Sequence, residues 1–321
     1  MKLNETNISE NTNFEHVAVL QQEVLDLLIV KPGPLKIIDG TVGYGGHSSL
    51  ILKKNAEAVL LGIDRDSEAL TAAEKVLSFA GERIHLVKDS FSNLGACAAG
   101  LGWHSVDALL LDLGVSSPQI DNPKRGFSYR LNGPLDMRMD GQSRETASRI
   151  LNTYPYDGLE RIFREYGEII KSRKLAEEIV VRRAKTPWMY TSELAELCNS
   201  IPGISRRGGP PAPSLCFQAL RIEVNKELVE LTRALEDGVR LLAKGGRIAV
   251  ISFHSLEDRI VKQYFKKMAS SCLCPPGLPV CVCGHKASLK IITKKPIVAN
   301  EDEISMNRRA APSKLRVAEK I

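Results

Sequence analysis

The segment Asp39-Gly40-Thr41-Val42-Gly43-Tyr44-Gly45-Gly46-His47 lies between an apolar run, Leu35-Lys36-Ile37-Ile38, and a helical pattern, Ser48-Ser49-Leu50-Ile51-Leu52. A strand that turns through glycines into a helix presents backbone N–H groups to a ligand, because no Cβ blocks the approach and the first amides of a helix lack partners. A polar ligand is therefore expected at this turn. Asp64 ends the next apolar run, Ala58 to Ile63, and stands 21 residues beyond Gly43 (64 − 43). A carboxylate there can accept both hydroxyls of a ribose, as in doubly wound nucleoside-binding folds. Asp112 closes a later apolar run, and Ser252 and His254 stand at the end of the last one. These are polar groups at strand ends, able to hydrogen-bond a ligand or exchange a proton with it.

The glycine pattern narrows the ligand. A dinucleotide fingerprint, G-x-G-x-x-G, would put its glycines at 43, 45 and 48, and position 48 is Ser48. Gly43-Tyr44-Gly45-Gly46, preceded four residues earlier by the strand-terminal Asp39, is instead a form common at S-adenosylmethionine (SAM) sites. SAM is favoured over NAD on this ground, although a glycine-rich loop alone is a weak signal.

These residues need a scaffold. Five apolar runs read as central strands: Leu35 to Asp39, Ala58 to Asp64, Arg83 to Val87, Val106 to Asp112, and Gly246 to Phe253. Helical patterns such as Ser67 to Glu74 separate the first four, a βαβ rhythm that predicts an α/β fold with a parallel, Rossmann-like sheet. The interval from Leu113 to Gly245 is far longer than a crossover requires, so a second, mostly helical domain is expected within it. Helices are predicted over Tyr156 to Tyr166, Arg173 to Arg183 and Ser192 to Cys198, the last capped by Thr191 or Ser192 with Glu193. Their interleaved Arg, Lys and Glu residues read first as an exposed, ion-paired face. The expected division is a flexible terminus at 1–13, a core domain at 14–119 and 217–321, and the insertion at 120–216. Phe217 to Leu242 is expected to return to the core domain as one helix.

The 321 residues are 43% hydrophobic and 26% charged, an ordinary soluble composition. The first thirteen residues are polar and include Glu5 and Glu10, unlike a signal peptide, and no apolar stretch approaches membrane-spanning length. A cytoplasmic protein without membrane association is expected. From Lys286 to Ile321 there are nine Lys/Arg against four Asp/Glu, a basic tail suited to a polyanion such as nucleic acid. Seven cysteines are too scattered for a disulfide scaffold. Cys272, Cys274, Cys281 and Cys283 cluster as two C-x-C pairs, less usual for zinc than C-x-x-C, so ordinary reduced thiols are expected and no metal ligand is assigned.

Further strings complete the pattern: Asp112-Leu113-Gly114-Val115-Ser116-Ser117-Pro118-Gln119, Arg125-Gly126-Phe127-Ser128, Gly133 to Asp140, Phe217 to Ile222, and Val250 to Arg259. With the glycine loop they resemble the bacterial 16S ribosomal RNA cytosine-N4 methyltransferases, the MraW family, from His16 to Glu319. The resemblance implies a class I SAM-dependent methyltransferase sheet. It also implies transfer of a methyl group to the exocyclic N4 of one cytidine in the decoding centre of the small ribosomal subunit. Its SAM contacts fall on Gly45, Gly46, His47, Asp64, Phe91, Asp112 and Gln119, and its partner would be 16S rRNA in the assembled subunit. A homodimer is expected on family resemblance alone.

Residue chemistry accommodates these roles. The Gly45 and Gly46 amides can receive the methionine carboxylate, and Phe91 can lie against adenine. His47 could instead satisfy only a local backbone group. The cytosine N4 lone pair is delocalised into the ring, so the site must hold the amine in line and accept a proton. Asp112 is the first candidate for that contact, though it could equally bind the SAM amino group; His254 and Ser252 follow. Ser252 to Ser255 could alternatively serve only to cap a helix, with Ser255 as N-cap and Asp258 three residues on. Phe127 is a candidate for stacking on the base or for pinning the domains together. Gly167-Glu168-Ile169-Ile170, Ser214-Leu215-Cys216 and Asn307-Arg308-Arg309-Ala310-Ala311 depart from the family strings, the first two by lacking an arginine. Rival readings are a SAM methyltransferase acting on DNA or a small amine, a ribosome-assembly factor that binds RNA, and, more remotely, an NAD dehydrogenase.

Overall fold

The structure is a computed structural model describing residues 18–275 and 280–321. The terminus at 1–13, expected to be flexible, lies outside the described residues, as does His16.

Seven strands form one sheet: β1 (Lys36–Asp39), β2 (Val59–Asp64), β3 (Ile84–Lys88), β4 (Val106–Asp112), β5 (Leu242–Ser252), β6 (Leu289–Ile291) and β7 (Lys314–Lys320). Their order is β3-β2-β1-β4-β5-β7-β6, with β7 antiparallel to both neighbours and the first five strands parallel. The chain winds outward from β1 in one direction and from β4 in the other, so the switch point lies between these two strands.

Strand alternation makes two cores. Ile37, Leu60, Ala108 and Leu110 face one layer, where they meet Ile51 and Leu77; Ile38, Leu61, Leu109 and Leu111 face the other, with Leu94, Leu235 and Phe265. Apolar residues at both parities explain why these strands read as unbroken apolar runs.

β5 begins earlier than expected because the pairing shifts register between Val106 and Ala108. Gly246 fits the irregularity: a Cβ there would lie 3.0 Å from the Asp107 carbonyl oxygen.

The C-terminal segment is no free basic tail. In β7, Leu315 and Val317 enter one core, while Arg316 reaches Asp258 at 2.6 Å. Arg247 pairs with Glu319 at 2.9 Å, and Lys320 Nζ donates to the Val239 carbonyl at 2.8 Å. Arg309, Lys314 and Arg316 thus pair with carboxylates within the fold, while Arg247 neutralises one of the segment's acids.

A third core collects residues between Phe127 and Val224, including the fully buried Phe163 and Trp188. Helices Ala147–Thr153, Tyr156–Glu165, Ser172–Arg183, Thr191–Ser200 and Ala212–Asn225 surround it. Outward-facing charges pair one turn apart, as Arg164 does with Glu160 and Lys174 with Glu178. Thr191 does not cap its helix. Its buried hydroxyl donates to the Leu131 carbonyl, while Glu193 accepts the Met189 and Tyr190 N–H groups.

The single helix expected from Phe217 to Leu242 is broken at Lys226, which has φ 55°. Phe217, Ala219, Leu220 and Val224 pack in the third core, and helix Glu227–Leu241 then packs on the sheet. We propose that the core domain resumes after Lys226 rather than at 217.

Candidate functional site at the sheet switch point

The glycine turn is closed by hydrogen bonds that its sequence makes available. Asp39, at the end of β1, accepts from the Ser48 hydroxyl at 2.7 Å and from the Thr41 N–H at 3.2 Å. Burial pushes its carboxyl up from 3.8 to about 6, against the pull of Ser48 and His47. Gly45 has φ 85°, and a Cβ there would sit 3.2 Å from Leu77 Cγ, so the turn needs glycine for both conformation and packing. Its N–H donates to the Val42 carbonyl at 2.8 Å. Gly45 thus shapes the turn, and its amide is not open to a ligand in this conformation. Gly46 opens helix Gly46–Lys54 and lines the cavity.

Asp64 locks the turn to β2. One carboxylate oxygen accepts the Gly43 N–H at 2.9 Å and the other the Asp66 N–H at 2.8 Å. Burial raises its pKa above the ordinary carboxylate value despite these bonds. A carboxylate has about four lone-pair sites, so acceptor capacity remains for a ligand's hydroxyls. Phe91 lines the same wall, with the Arg65 guanidinium 5.9 Å from its ring centre. Arg65 in turn pairs with Glu230.

Gln119 is buried. Its amide donates to Asp66 at 2.7 Å and accepts the Ser116 N–H at 3.1 Å. Arg125 reaches the same Asp66 oxygen at 2.8 Å and donates to the Arg138 and Met139 carbonyls. Gln119 therefore holds the Ser116–Ser117 corner over the cavity.

Asp112 ends β4, with its N–H donating to the Thr41 hydroxyl at 2.6 Å. One carboxylate oxygen lies 3.6 Å from His47 Nε2; the other is buried with no hydrogen-bond partner among the described residues, as is His47 Nε2. Burial pulls the His47 pKa down, but Asp112 and then Asp39 outweigh it and hold the imidazole above its ordinary value. Unpartnered buried polar atoms cost free energy, and here they face a cavity that a polar ligand would fill.

The other two catalytic candidates are placed differently. The Ser252 hydroxyl is directed to the Lys314 carbonyl at 3.4 Å, and Ser252 does not line the cavity. His254 is N-cap of helix Ser255–Ala269, its Nδ1 accepting the Glu257 N–H at 3.4 Å. Glu257 accepts the His254 N–H at 3.3 Å, completing a capping box one residue earlier than the Ser255–Asp258 alternative, and also accepts the Phe253 N–H at 2.9 Å. Asp258 instead binds Arg316.

Sequence reasoning missed Thr41, Arg221, Glu227, Phe253 and Glu257, all of which line the cavity. Arg221 is half-buried and binds Glu227 through two hydrogen bonds of 2.9 and 3.0 Å. Burial opposes its charge, but Glu227 and Glu257 hold its pKa above the ordinary value. Arg221, Phe253 and Glu257 stand inside strings already singled out, so their motifs were the available signal. Phe127, by contrast, is 9% exposed and belongs to the helical core, which makes it a pin rather than a stacking surface.

The cavity these groups enclose measures about 450 Å³, within the range of small-ligand sites. It lies beyond the carboxyl ends of β1, β2 and β4, with an acid at the end of each. Sheet order, the antiparallel β7 and this placement define a class I SAM-dependent methyltransferase fold. The chain belongs to the MraW methylase family, whose family model matches residues 13–321. It is 49% identical over 309 residues to ribosomal RNA small subunit methyltransferase H of Carboxydothermus hydrogenoformans, covering 96% of this chain and 98% of that one. The protein of the same name from Heliobacterium modesticaldum is 48% identical over 312 residues, covering 96% and 99%. Among solved structures, an rRNA methylase from Streptococcus thermophilus superposes with a TM-score of 0.40 at 12% identity, covering 94% of this chain and 93% of that one. Among the described residues no helix is long and apolar enough to cross a membrane.

Proposed function

We propose that the chain uses SAM to methylate the exocyclic N4 of a cytidine in small-subunit ribosomal RNA. The carrying observation is the Asp112 carboxylate at the switch point, with one oxygen facing His47 and the other unpartnered in the cavity. Membership of a methylase family and relatives named for small-subunit rRNA support the reaction class and the RNA. The cytoplasm is the compartment this reading implies.

SAM, when bound, supplies an electrophilic methyl group. Asp64 would receive the ribose hydroxyls, Phe91 would lie against adenine, and Gly46 and His47 would meet the methionine end. The free Asp112 oxygen would accept a hydrogen bond from the target amine, holding it in line and drawing its lone pair out of conjugation. The same oxygen, or water beside it, would take the proton released on transfer. Phe253, which lines the cavity with Tyr44 and Phe91, would steady an unstacked base.

Among the described residues four arginines line the cavity: Arg65, Arg221, Arg308 and Arg309. The first two pair with Glu230 and Glu227, and Arg309 pairs with Asp121 at 2.5 Å. Arg308 has no carboxylate partner among the described residues and is the proposed contact for an RNA phosphate.

Labelled methyl transfer separates this reading from its rivals. Small ribosomal subunits lacking the modification should be labelled, while duplex DNA and small amines should not. Labelling of DNA or amines instead of subunits would move the substrate assignment and leave the cofactor cavity standing.

A further inference from the structure

We propose that Cys272, Cys274, Cys281 and Cys283 hold a structural zinc ion as four thiolates. Their sulfurs are 3.4 Å apart for Cys272 and Cys281, 3.5 Å for Cys281 and Cys283, 3.8 Å for Cys272 and Cys283, and 3.9 Å for Cys274 and Cys281. All four lie within 4.8 Å of one another. With Zn–S bonds of about 2.3 Å, the edges of a regular sulfur tetrahedron measure about 3.8 Å. A disulfide would need sulfurs about 2.05 Å apart. The spacing is therefore that of a cage around an ion.

The backbone is arranged for the same charge. Leu273, between the first pair, donates its N–H to Cys283 Sγ at 3.3 Å; Val282, between the second, donates to Cys274 Sγ at 3.4 Å. Each C-x-C pair thus supports a sulfur of the other, and Cys274 N–H donates to Cys272 Sγ at 3.4 Å. Such outer-shell donors offset the negative charge that four thiolates carry around a divalent cation. His285 Nε2 lies 3.0 Å from the Lys267 carbonyl oxygen, which leaves the ligand set all sulfur. Two C-x-C pairs facing each other close the tetrahedron as well as C-x-x-C pairs would, which reverses the expectation of ordinary thiols.

Among the described residues of this segment nothing else would gather four sulfurs. Thiols are weak hydrogen-bond donors, and Leu273, Val280 and Val282 are 42%, 72% and 79% exposed, so the described apolar side chains beside the cysteines form no core. A metal would supply the cohesion that burial does not. The role is structural. Helix Ser255–Ala269 begins at the cavity wall and its 15 residues run for about 22 Å before the cysteines.

The test is metal content of the full-length protein purified under reducing conditions, with cobalt exchange as the spectroscopic probe. About one zinc per chain is expected, and the cobalt form should show thiolate-to-cobalt charge transfer with tetrahedral d–d bands. Both signals should vanish in Cys281→Ser/Cys283→Ser and persist in Cys97→Ser, with SAM affinity unchanged in each. Zinc that fails to bind on reconstitution would overturn the proposal. So would metal retained by the double variant, or disulfides among these cysteines in the reduced preparation.

Discussion

The carboxylates at the strand ends and the charges on the inserted helices are held differently. The carboxylates of Asp39 and Asp64 are fixed by backbone N–H groups and a buried hydroxyl, whereas Asp112 is anchored through its own N–H to Thr41 and retains an unpartnered carboxylate oxygen. Arg161, Arg164 and Lys174 pair with glutamates one turn away, on faces open to water. Charge density therefore does not mark the site in this molecule. Fixed carboxylates beside an unfilled hydrogen-bonding position do.

The contrast is tested hardest at Asp112. Asp112→Asn should slow methyl transfer by about 10²- to 10⁴-fold, as expected for loss of a positioned proton acceptor, while SAM affinity stays within a few-fold. Single-turnover rates and calorimetric titration separate the two; parallel loss of affinity and rate would make Asp112 a cofactor ligand instead. Arg221→Met tests the paired charges lining the cavity. It strands Glu227 without its cation and should cost about 3–5 kcal/mol in urea unfolding, whereas a cost near zero would mean that water reaches the pair.

Asp39 gives a pH signature. Its folded-state pKa of about 6 lies above the ordinary 3.8, so the fold favours the protonated form. The stability it contributes is complete below the unfolded value and is lost as pH rises through the folded one. Relative to wild type, Asp39→Asn should therefore gain about 3 kcal/mol between about pH 4 and pH 7. A pH-independent difference would show that Asp39 ionises normally.

Smaller effects follow. Asp64→Ala should raise the SAM Kd by about 10- to 100-fold, through lost charge-assisted hydrogen bonds and a looser glycine turn. On the insertion, Arg164→Ala should change stability by less than about 1 kcal/mol, as exposed pairs do. A larger cost would erase the distinction between the two regions.

Legibility in the sequence followed the same boundary. Strands β1, β2 and β4 were readable because burial on both faces writes them as apolar runs, and Asp64 and Asp112 because they end such runs. β6 and β7 were not: β6 has three residues, and in Lys314–Lys320 alternating charges masked the Leu315 and Val317 face. The break at Lys226 was invisible because its left-handed backbone falls on a residue that ordinarily favours helix. The glycine turn was legible as a turn, but the commitment of the Gly45 amide to Val42 depends on three-dimensional closure. His254 and Glu257 show the commonest confusion, since a polar string after a strand reads alike as chemistry and as a helix cap. The Arg221–Glu227 pair joins residues on two helices across the Lys226 turn, which sequence spacing alone does not reveal.

The most direct test of the central claim is mass spectrometry of nucleosides from unmodified small ribosomal subunits after incubation with SAM and either wild type or Asp112→Asn. N4-methylcytidine should form with the wild type and fall to a small fraction with the variant. A methyl group on another atom or base, or equal yields from both proteins, would contradict the placement of the target amine at Asp112.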